Sequence, residues 1–430
     1  MSADDGVRDG VDPEVGESAA GTERTRILDL AETYLCPDRV RTLRTAGIDL
    51  VMGRRQGYRI WDLDGTARID LHLNGGVFNL GHRNPDVIAA LHAAVGTYDI
   101  GNHHFPSGPR ARLAKRLVDA TPGMQYAVFA SGGGEAVDLA LKSARRATGR
   151  RMIVSVSDAY HGHTGLALTA GDERAAAAFL SDRTEEVVRV PFNDLEALAQ
   201  ALATYEVAAV ILETIPATAG FPVPTAEYLP GVRALCDVYG AAYIADEVQT
   251  GLGRTGALWA TQHFGVVPDI LVTGKGLSGG IYPIAATLLS ARMGTWLEED
   301  GWGHISTFGG SEIGCCVAET VLDLTMNSTT TARVQAVAAQ WEAGLVELSQ
   351  RYPNWIAQVR QTGLVIGLRM HQEMGGMMMT RLLFDHGVWA MFAGFDRSVL
   401  QLKPGLLIDD ATTVEALDGL DRACAVAASW

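Results

Sequence analysis

The sequence predicts an α/β protein: a large domain with a mostly parallel sheet under a cover of helices, plus a smaller α+β domain formed from both chain ends. Three observations point there. Short apolar runs suited to buried strands alternate with helix-period segments through the middle of the chain. The segment before them alternates polar and apolar residues around a turn, and the segment after them reads as a long amphipathic helix, mixed strands and a final helix. At 430 residues and 47% hydrophobic, the chain can bury a substantial core and is long enough for two or three domains.

The opening "MSADDGVRDGVDPEVGESAAG" is acidic and glycine-rich, with no basic flank leading into an apolar core. A flexible or partner-contacting arm is expected over residues 1–24, and secretion is argued against. Residues 25–85 are expected to form the first part of the small domain, where "GYRIWDLDGTARIDL" (57–71) reads as an antiparallel ribbon around "DLDG". The large domain is expected over 86–325. Its strand candidates are "YAVFA" (126–130), "MIVSVS" (152–157), "VAAVILE" (207–213), "AAYIADE" (241–247), "DILVTG" (269–274) and "IAATLLS" (284–290). Helix-like segments fall between them, among them 134–147, with Ala140, Leu141 and Ala144 on one stripe, and 227–239. Residues 326–430 complete the small domain, with helices expected over 330–350 and 411–428.

A net charge of -15 offers no broad basic surface to a nucleic-acid backbone, so no nucleic-acid partner is expected. The five cysteines (Cys36, Cys236, Cys315, Cys316, Cys424) are odd in number and lack CxxC spacing. The adjacent Cys315 and Cys316 read as part of a packed helix. Neither a disulfide framework nor a metal site is indicated, and a reducing, cytoplasmic location is expected. The apolar runs are far shorter than the roughly 20 residues a bilayer span requires, so no membrane association is expected.

Chemistry concentrates at the ends of the predicted strands. In "DILVTGKGLSGG" (269–280), Lys275 sits between glycines with no other charged residue from Leu271 to Gly280. A lysine at a strand end ordinarily keeps its charge in water. Asp246, in "YIADEVQTGLGRTG", ends an apolar strand 29 residues earlier and reads either as a helix cap or as a ligand-facing acid. Ligands bind at the carboxyl ends of strands in parallel sheets, so Asp246 and Lys275 are placed to face one crevice. "SGGGEA" (131–136) follows a strand and opens a helix; Gly133 and Gly134 would admit a phosphate to the backbone N–H groups. It matches neither a nucleoside-triphosphate loop nor GxGxxG. "SDAYHGHTG" (157–165) adds Tyr160 and His161, either ordinary core or a surface for a planar ring. Together these specify a planar, phosphorylated ligand with a basic ring nitrogen and an aldehyde a lysine can capture. Pyridoxal 5'-phosphate meets all four demands.

From about residue 50 to about 425 the chain resembles the class III (ornithine, acetylornithine and omega-type) aminotransferases, within the fold type I pyridoxal-phosphate (PLP) enzymes. "YIADEVQTGLGRTGALWATQHFGVVPDILVTGKGLSGGIYPIAA" carries the likeness most specifically. The resemblance implies that Lys275 forms the internal aldimine and then serves as base for a 1,3-proton shift, and that Asp246 keeps the pyridine nitrogen protonated. It further implies that Gln249 donates to the ring O3', that Tyr160 covers the ring face and that Gly133 and Gly134 hold the phosphate. Glu213 and His161 join the cofactor-binding set. Desolvation should lower the Lys275 pKa from about 10.4. "HISTFGG" (304–310) is similar to a phosphate-binding stretch lent by a neighbouring subunit, with Thr307 as hydroxyl donor, which implies a homodimer with shared active sites. A local turn is the other reading of Thr307.

Four departures from the family bear on substrate. Ser131, Gly132, Gly133 and Gly134 stand where Asn-Ser-Gly-Thr/Ser is usual, so one hydroxyl is lost at Gly134. "ETIPATAG" (213–220) puts Thr218 at the position of a glutamate that gates a substrate-binding arginine. "LQLKPGL" (400–406) puts Gln401 at that arginine's own position, and glutamine cannot reproduce a bidentate carboxylate fork. Lys403, two positions on, is expected to face away from Gln401. His163 falls where some members carry an arginine for a distal carboxylate.

The expected reaction is amino-group transfer between a small-molecule amine or amino acid and an oxo substrate, with a substrate less acidic than glutamate. A racemase, epimerase or aminomutase of the same family is the alternative. His104, Phe105 and Phe78 either line the pocket or pack an inter-domain seam. A non-enzymatic relative would be expected to lose Lys275 or Asp246, and both are present; a dinucleotide-dependent oxidoreductase lacks its GxGxxG.

Overall fold

The computed structural model describes residues 17–101, 104–183 and 185–429. They separate into two compact units: residues up to Arg55 with Arg59–Arg68, and Gln56–Tyr58 with Ile69 onward.

In the first unit, helix Glu17–Tyr34 is followed by helix Pro37–Thr45, which opens on a proline whose missing N–H costs nothing in a first turn. Arg44 reaches back to Asp29 (3.0 Å) and Glu32 (3.2 Å). Residues 17–24 of the expected arm are therefore helical, and residues 1–16 lie outside the described residues. Strands Met52–Gln56 and Arg59–Asp62 follow, and the chain turns at "DLDG", where the Asp62 N–H donates to the Thr66 carbonyl (3.0 Å). The Asp62 carboxylate accepts from the Val51 and Leu63 N–H groups.

The second unit is built on seven strands: β1 (Tyr126–Ala130), β2 (Met152–Val156), β3 (Val187–Val190), β4 (Val207–Glu213), β5 (Ala242–Asp246), β6 (Ile270–Thr273) and β7 (Ala285–Leu289). Their spatial order is β1-β7-β6-β5-β4-β2-β3. Strands β2 to β6 run parallel, and β7 is antiparallel to both β6 and β1. The apolar runs are continuous because both faces are covered. Alternation sends Ile153, Ile211, Ile244 and Val272 to one core with Ala136, Val137, Ala140 and Ala144 of helix Gly133–Thr148. Val154, Val210, Leu212, Tyr243 and Ala245 enter the opposite core with Leu229 and Val232 of helix Tyr228–Tyr239.

Six of these strands and both helices coincide with expected segments. Strand β3 was not anticipated: it is a four-residue edge strand, "VVRV", with Glu186 and Arg189 diluting its apolar character. Cys315 is buried in helix Glu312–Thr325, where Ser311 caps the Gly314 N–H. The C-terminal part contains helices Ser328–Arg351 and Asp410–Ala427, each capped by a side chain (Asn327, Asp409). They pack on a four-stranded antiparallel sheet ordered Ile356–Thr362, Val365–Met370, Val399–Leu402, Met391–Phe392. Ile69 and Asp70 pair in parallel with Val388 and Trp389. No described helix is long and apolar enough to cross a membrane.

Candidate active site

The residues singled out at strand ends converge at the carboxyl edge of the sheet, because β2, β4, β5 and β6 are successive parallel neighbours. Asp246 closes β5 and pairs in register with Glu213, the last residue of β4. Lys275 lies two residues beyond β6, on a backbone with φ +40°, a left-handed conformation that costs a non-glycine residue about 1–2 kcal/mol. Burial pushes its amine below the ordinary lysine value, opposed by the charges of Asp246 and Glu213.

Asp246 is buried. One of its oxygens accepts from the Val248 N–H (3.1 Å) and the other lies 2.8 Å from His161 Nδ1. His161 comes from the turn after β2. Glu213 is occupied by backbone: its oxygens take the Tyr160 N–H (2.9 Å) and the Ala217 N–H (3.1 Å). It therefore holds the Tyr160 turn in place. Burial, then the Asp246 charge, push Glu213 above the usual carboxylate range. The Tyr160 ring is 39% exposed and lies 5.3 Å from that of His163, itself exposed; burial and the same two acids raise the Tyr160 hydroxyl.

The glycines make the opposite wall. Helix Gly133–Thr148 starts without a side-chain cap, leaving its first-turn N–H groups available. A Cβ on Gly133 would come within 3.1 Å of Val248 Cγ1, and one on Gly162 within 2.6 Å of Gly134 Cα at φ +121°, so the two turns pack backbone against backbone. Ser131 donates to Glu135 (2.6 Å), which locks the turn ahead of the helix.

Several participants were missed in the sequence. The segment Leu73–Gly76 lies over the lysine: a Cβ on Gly75 (φ +70°) would be 3.0 Å from Lys275 Cε and 2.7 Å from Gln249 Oε1. The only signal was the Gly75–Gly76 pair. Glu247, beside Asp246, points the other way and accepts from Thr214, Thr250 and the Thr261 N–H. Arg254 is fully buried against the Leu364 and Pro404 carbonyls and Asn79.

The departures also find places. Thr218 Oγ1 donates to the Asp158 carbonyl (3.5 Å). Gln401 is buried and its Nε2 donates to the Ala217 carbonyl. The expectation that Lys403 faces away from Gln401 is overturned: residues two apart at a strand end share a face, and Lys403 Nζ donates to Gln401 Oε1 at 2.6 Å. Phe78 stacks on His82 (4.0 Å) against the Gly279–Gly280 turn. His104 and Phe105 line a groove of about 700 Å³ with Arg110, Phe129 and His304, and none of the Lys275 group lines it. Thr307 is exposed in the loop 301–310.

Pyridoxal phosphate fits these residues. Gln249 Nε2 is a buried donor without a partner among the described residues, free to be taken up by a ligand acceptor, and the Gly133–Gly134 turn is packed so closely that an added Cβ would intrude on Val248 or Thr164. A partly buried lysine with a weakened hold on its proton, next to a buried acid, is the equipment of a PLP-dependent enzyme. Comparison with known proteins is specific on this point. Residues 43–424 match the model of the family "Aminotransferase class-III". The chain is 43% identical over 388 residues (90% of this chain, 91% of the relative) to an uncharacterized aminotransferase of Archaeoglobus fulgidus. It is 36% identical over 380 residues (86% and 92%) to the acetylornithine aminotransferase of Pseudomonas putida. Its structure superposes on the ornithine aminotransferase of Toxoplasma gondii with a TM-score of 0.84 at 25% identity, over 94% of each chain.

The chain belongs to the class III aminotransferase family. It is a PLP-dependent enzyme with the fold type I architecture, and moves an amino group between an amine or amino-acid donor and an oxo acceptor.

Proposed function

We propose that the principal substrate is less acidic than glutamate and carries at most one carboxylate into the site. The observation behind this is Gln401. It stands at the position of the family's carboxylate-binding arginine, and its amide is already committed at both ends, to the Ala217 carbonyl and to Lys403. Thr218 in place of the gating glutamate and His163 in place of a second arginine agree with it. The names of the relatives span several amine donors and do not choose among them.

Bound PLP supplies the aldehyde and an electron-withdrawing ring. In the proposed assignment Lys275 Nζ would hold the cofactor at its aldehyde carbon and would carry the proton moved between the substrate carbon and the cofactor. Asp246, oriented by His161, would hold the ring nitrogen; Gln249 would donate to O3'; Tyr160 would cover the ring; and the first-turn N–H groups of Gly133 and Gly134 would take the phosphate. Glu213 supports the Tyr160 turn. Residues 86–325 would act as the cofactor-binding domain, with 25–85 and 326–430 as the small domain. The proposed functional unit is a homodimer in which Thr307 serves the partner's phosphate. The exposure of Trp302 (64%), Ile305 (64%) and Phe308 (53%) on that loop supports burial against a second copy. Five unpaired cysteines support a reducing, cytoplasmic setting.

Single-turnover reactions with a donor panel test the reading. A neutral or monocarboxylate donor should release one equivalent of oxo product per site without added acceptor, and glutamate should react far more slowly. Rapid, saturable turnover of glutamate at micromolar concentration would refute the substrate assignment. Exchange of the Cα proton without oxo product would favour the racemase or aminomutase alternative.

A further inference from the structure

Lys403 is 1% exposed, and among the described residues its polar partners are Gln401 (2.6 Å) and His72 Nδ1 (3.3 Å), neither of them a carboxylate. A buried amine that no carboxylate hydrogen-bonds is costly even with the charge of Asp70 acting on it, so its presence needs a reason. The chain of contacts supplies one. Glu213 holds the Ala217 N–H, and the Ala217 carbonyl takes Gln401 Nε2. That contact fixes the amide, since flipping it would set oxygen against oxygen and N–H against N–H. Gln401 Oε1 therefore faces Lys403 and must receive a proton from Nζ. An amine keeps at least two N–H groups in either charge state. The first goes to Gln401; Nζ lies 3.3 Å from His72 Nδ1, and the arrangement proposed below has the second N–H donated there. With Nδ1 accepting, the His72 proton resides on Nε2.

His72, unlike Lys403, is partly exposed. It immediately precedes the Leu73–Gly76 segment that lies against Lys275 Cε, and its ring meets that of Trp389 edge-on, with the ring centres 6.2 Å apart. Burial, opposed by the charge of Asp70, pushes its imidazole down to about 3, so the ring is neutral near neutral pH. A neutral ring with its Nε2 proton set from behind is a fixed hydrogen-bond donor, joined through Lys403 to Gln401, the position where the arginine fork is missing.

We propose that His72 Nε2–H is a substrate-binding donor for the single carboxylate of an amino-acid substrate, and that Lys403 and Gln401 are positioning residues that set its tautomer. The proposal rests on the aminotransferase reading above and names what replaces the arginine.

Holoenzyme labelled with 15N-histidine reads the tautomer directly, with His72→Ala assigning the signal. Wild type should show His72 protonated on Nε2, and Lys403→Met should yield a mixture of tautomers; protonation on Nδ1 in wild type would overturn the proposal. The kinetic arm compares a monocarboxylate amino acid with the amine left when its carboxylate is removed. His72→Phe should raise KM for the amino acid by about tenfold to hundredfold with little change in kcat, and leave the amine unaffected. His72→Gln, which keeps a donor, should recover much of that loss. An equal loss for both donors, with the bound-cofactor absorbance unchanged, would mean a structural role and sink the idea. Wild type that released no oxo product from either donor would instead defeat the aminotransferase reading, while the tautomer measurement would still decide the local arrangement.

Discussion

Substituting Gly75 by alanine tests whether the segment 73–76 positions the lysine. Two costs can be separated. At φ +70° an alanine bears the left-handed penalty of about 1–2 kcal/mol. Its Cβ would also meet Lys275 Cε at 3.0 Å and Gln249 Oε1 at 2.7 Å, the outer parts of two flexible side chains, which must swing aside at about 1 kcal/mol. The sum, about 2–3 kcal/mol, is within what a domain stable by about 5–15 kcal/mol survives. Gly256→Ala is the control: φ is +92°, but nothing lies within 4 Å of the added carbon, so only the backbone cost applies. Both variants should fold, with Gly75→Ala the less stable in urea by the crowding cost. Borohydride trapping followed by peptide mass analysis should find the cofactor label on Lys275 in Gly256→Ala and a greatly reduced yield in Gly75→Ala. If the two variants unfold at the same urea concentration and trap equally well, the segment does not press on the lysine.

Lys403→Met should change how stability depends on pH. Burial, then Arg254 and Lys275, hold Lys403 well below its ordinary value of about 10.4, so below that pH the unfolded chain binds a proton that the folded chain refuses. Wild-type stability therefore rises with pH by up to about 1.4 kcal/mol per unit until pH approaches 10.4, and the variant should lose that slope. Parallel urea stability curves from neutral pH to pH 10 would show Lys403 to be charged when folded. Gly162→Ala should weaken cofactor retention by about tenfold or more in equilibrium dialysis, because its Cβ meets the Gly134 backbone at 2.6 Å. Gly134→Ala should be milder, since its Cβ meets Thr164 Oγ1, which can rotate away; the reverse order would contradict the packing of the two turns. Ile305→Asp should shift the assembly to monomers in light scattering and abolish transfer while each chain stays folded, whereas an unchanged mass would remove the loop from the interface.

The parts legible in the sequence were those whose physics is local. "VAAVILE" and "AYIAD" are buried along their whole length, so composition alone marks them as strands. Lys275 and Asp246 stood out because each is a charge in an otherwise apolar strand end. What stayed hidden depends on contacts between distant segments. Gly75 is 200 residues from the lysine it covers, and His72 is 331 residues from Lys403. Strand β7 reads like its neighbours, yet it runs antiparallel because pairing partners, not composition, set its direction. Lys403 is a different case, because strand alternation by itself places it on the side of Gln401, two positions away, where the structure has it.

Alternation also explains how three acids are tolerated at one edge of the sheet. Asp246 and Glu247 are successive residues and point to opposite sides. Glu247 is fully occupied by two hydroxyls and a backbone N–H, and burial raises its pKa. Glu213 is held by two backbone N–H groups, and part of its upward shift comes from the Asp246 charge across the register. A ring cation paired with Asp246 would cancel that part. Glu213 would then ionise more readily and grip the Tyr160 and Ala217 N–H groups more strongly, since charge-assisted bonds are the stronger kind. Ala217 in turn carries Gln401, Lys403 and His72. Cofactor charge would thus reach the wall proposed to read the substrate through the charge coupling of Asp246 with Glu213 and then a chain of hydrogen bonds, so Asp246→Asn should loosen donor selectivity as well as slow the chemistry in the donor-panel assay.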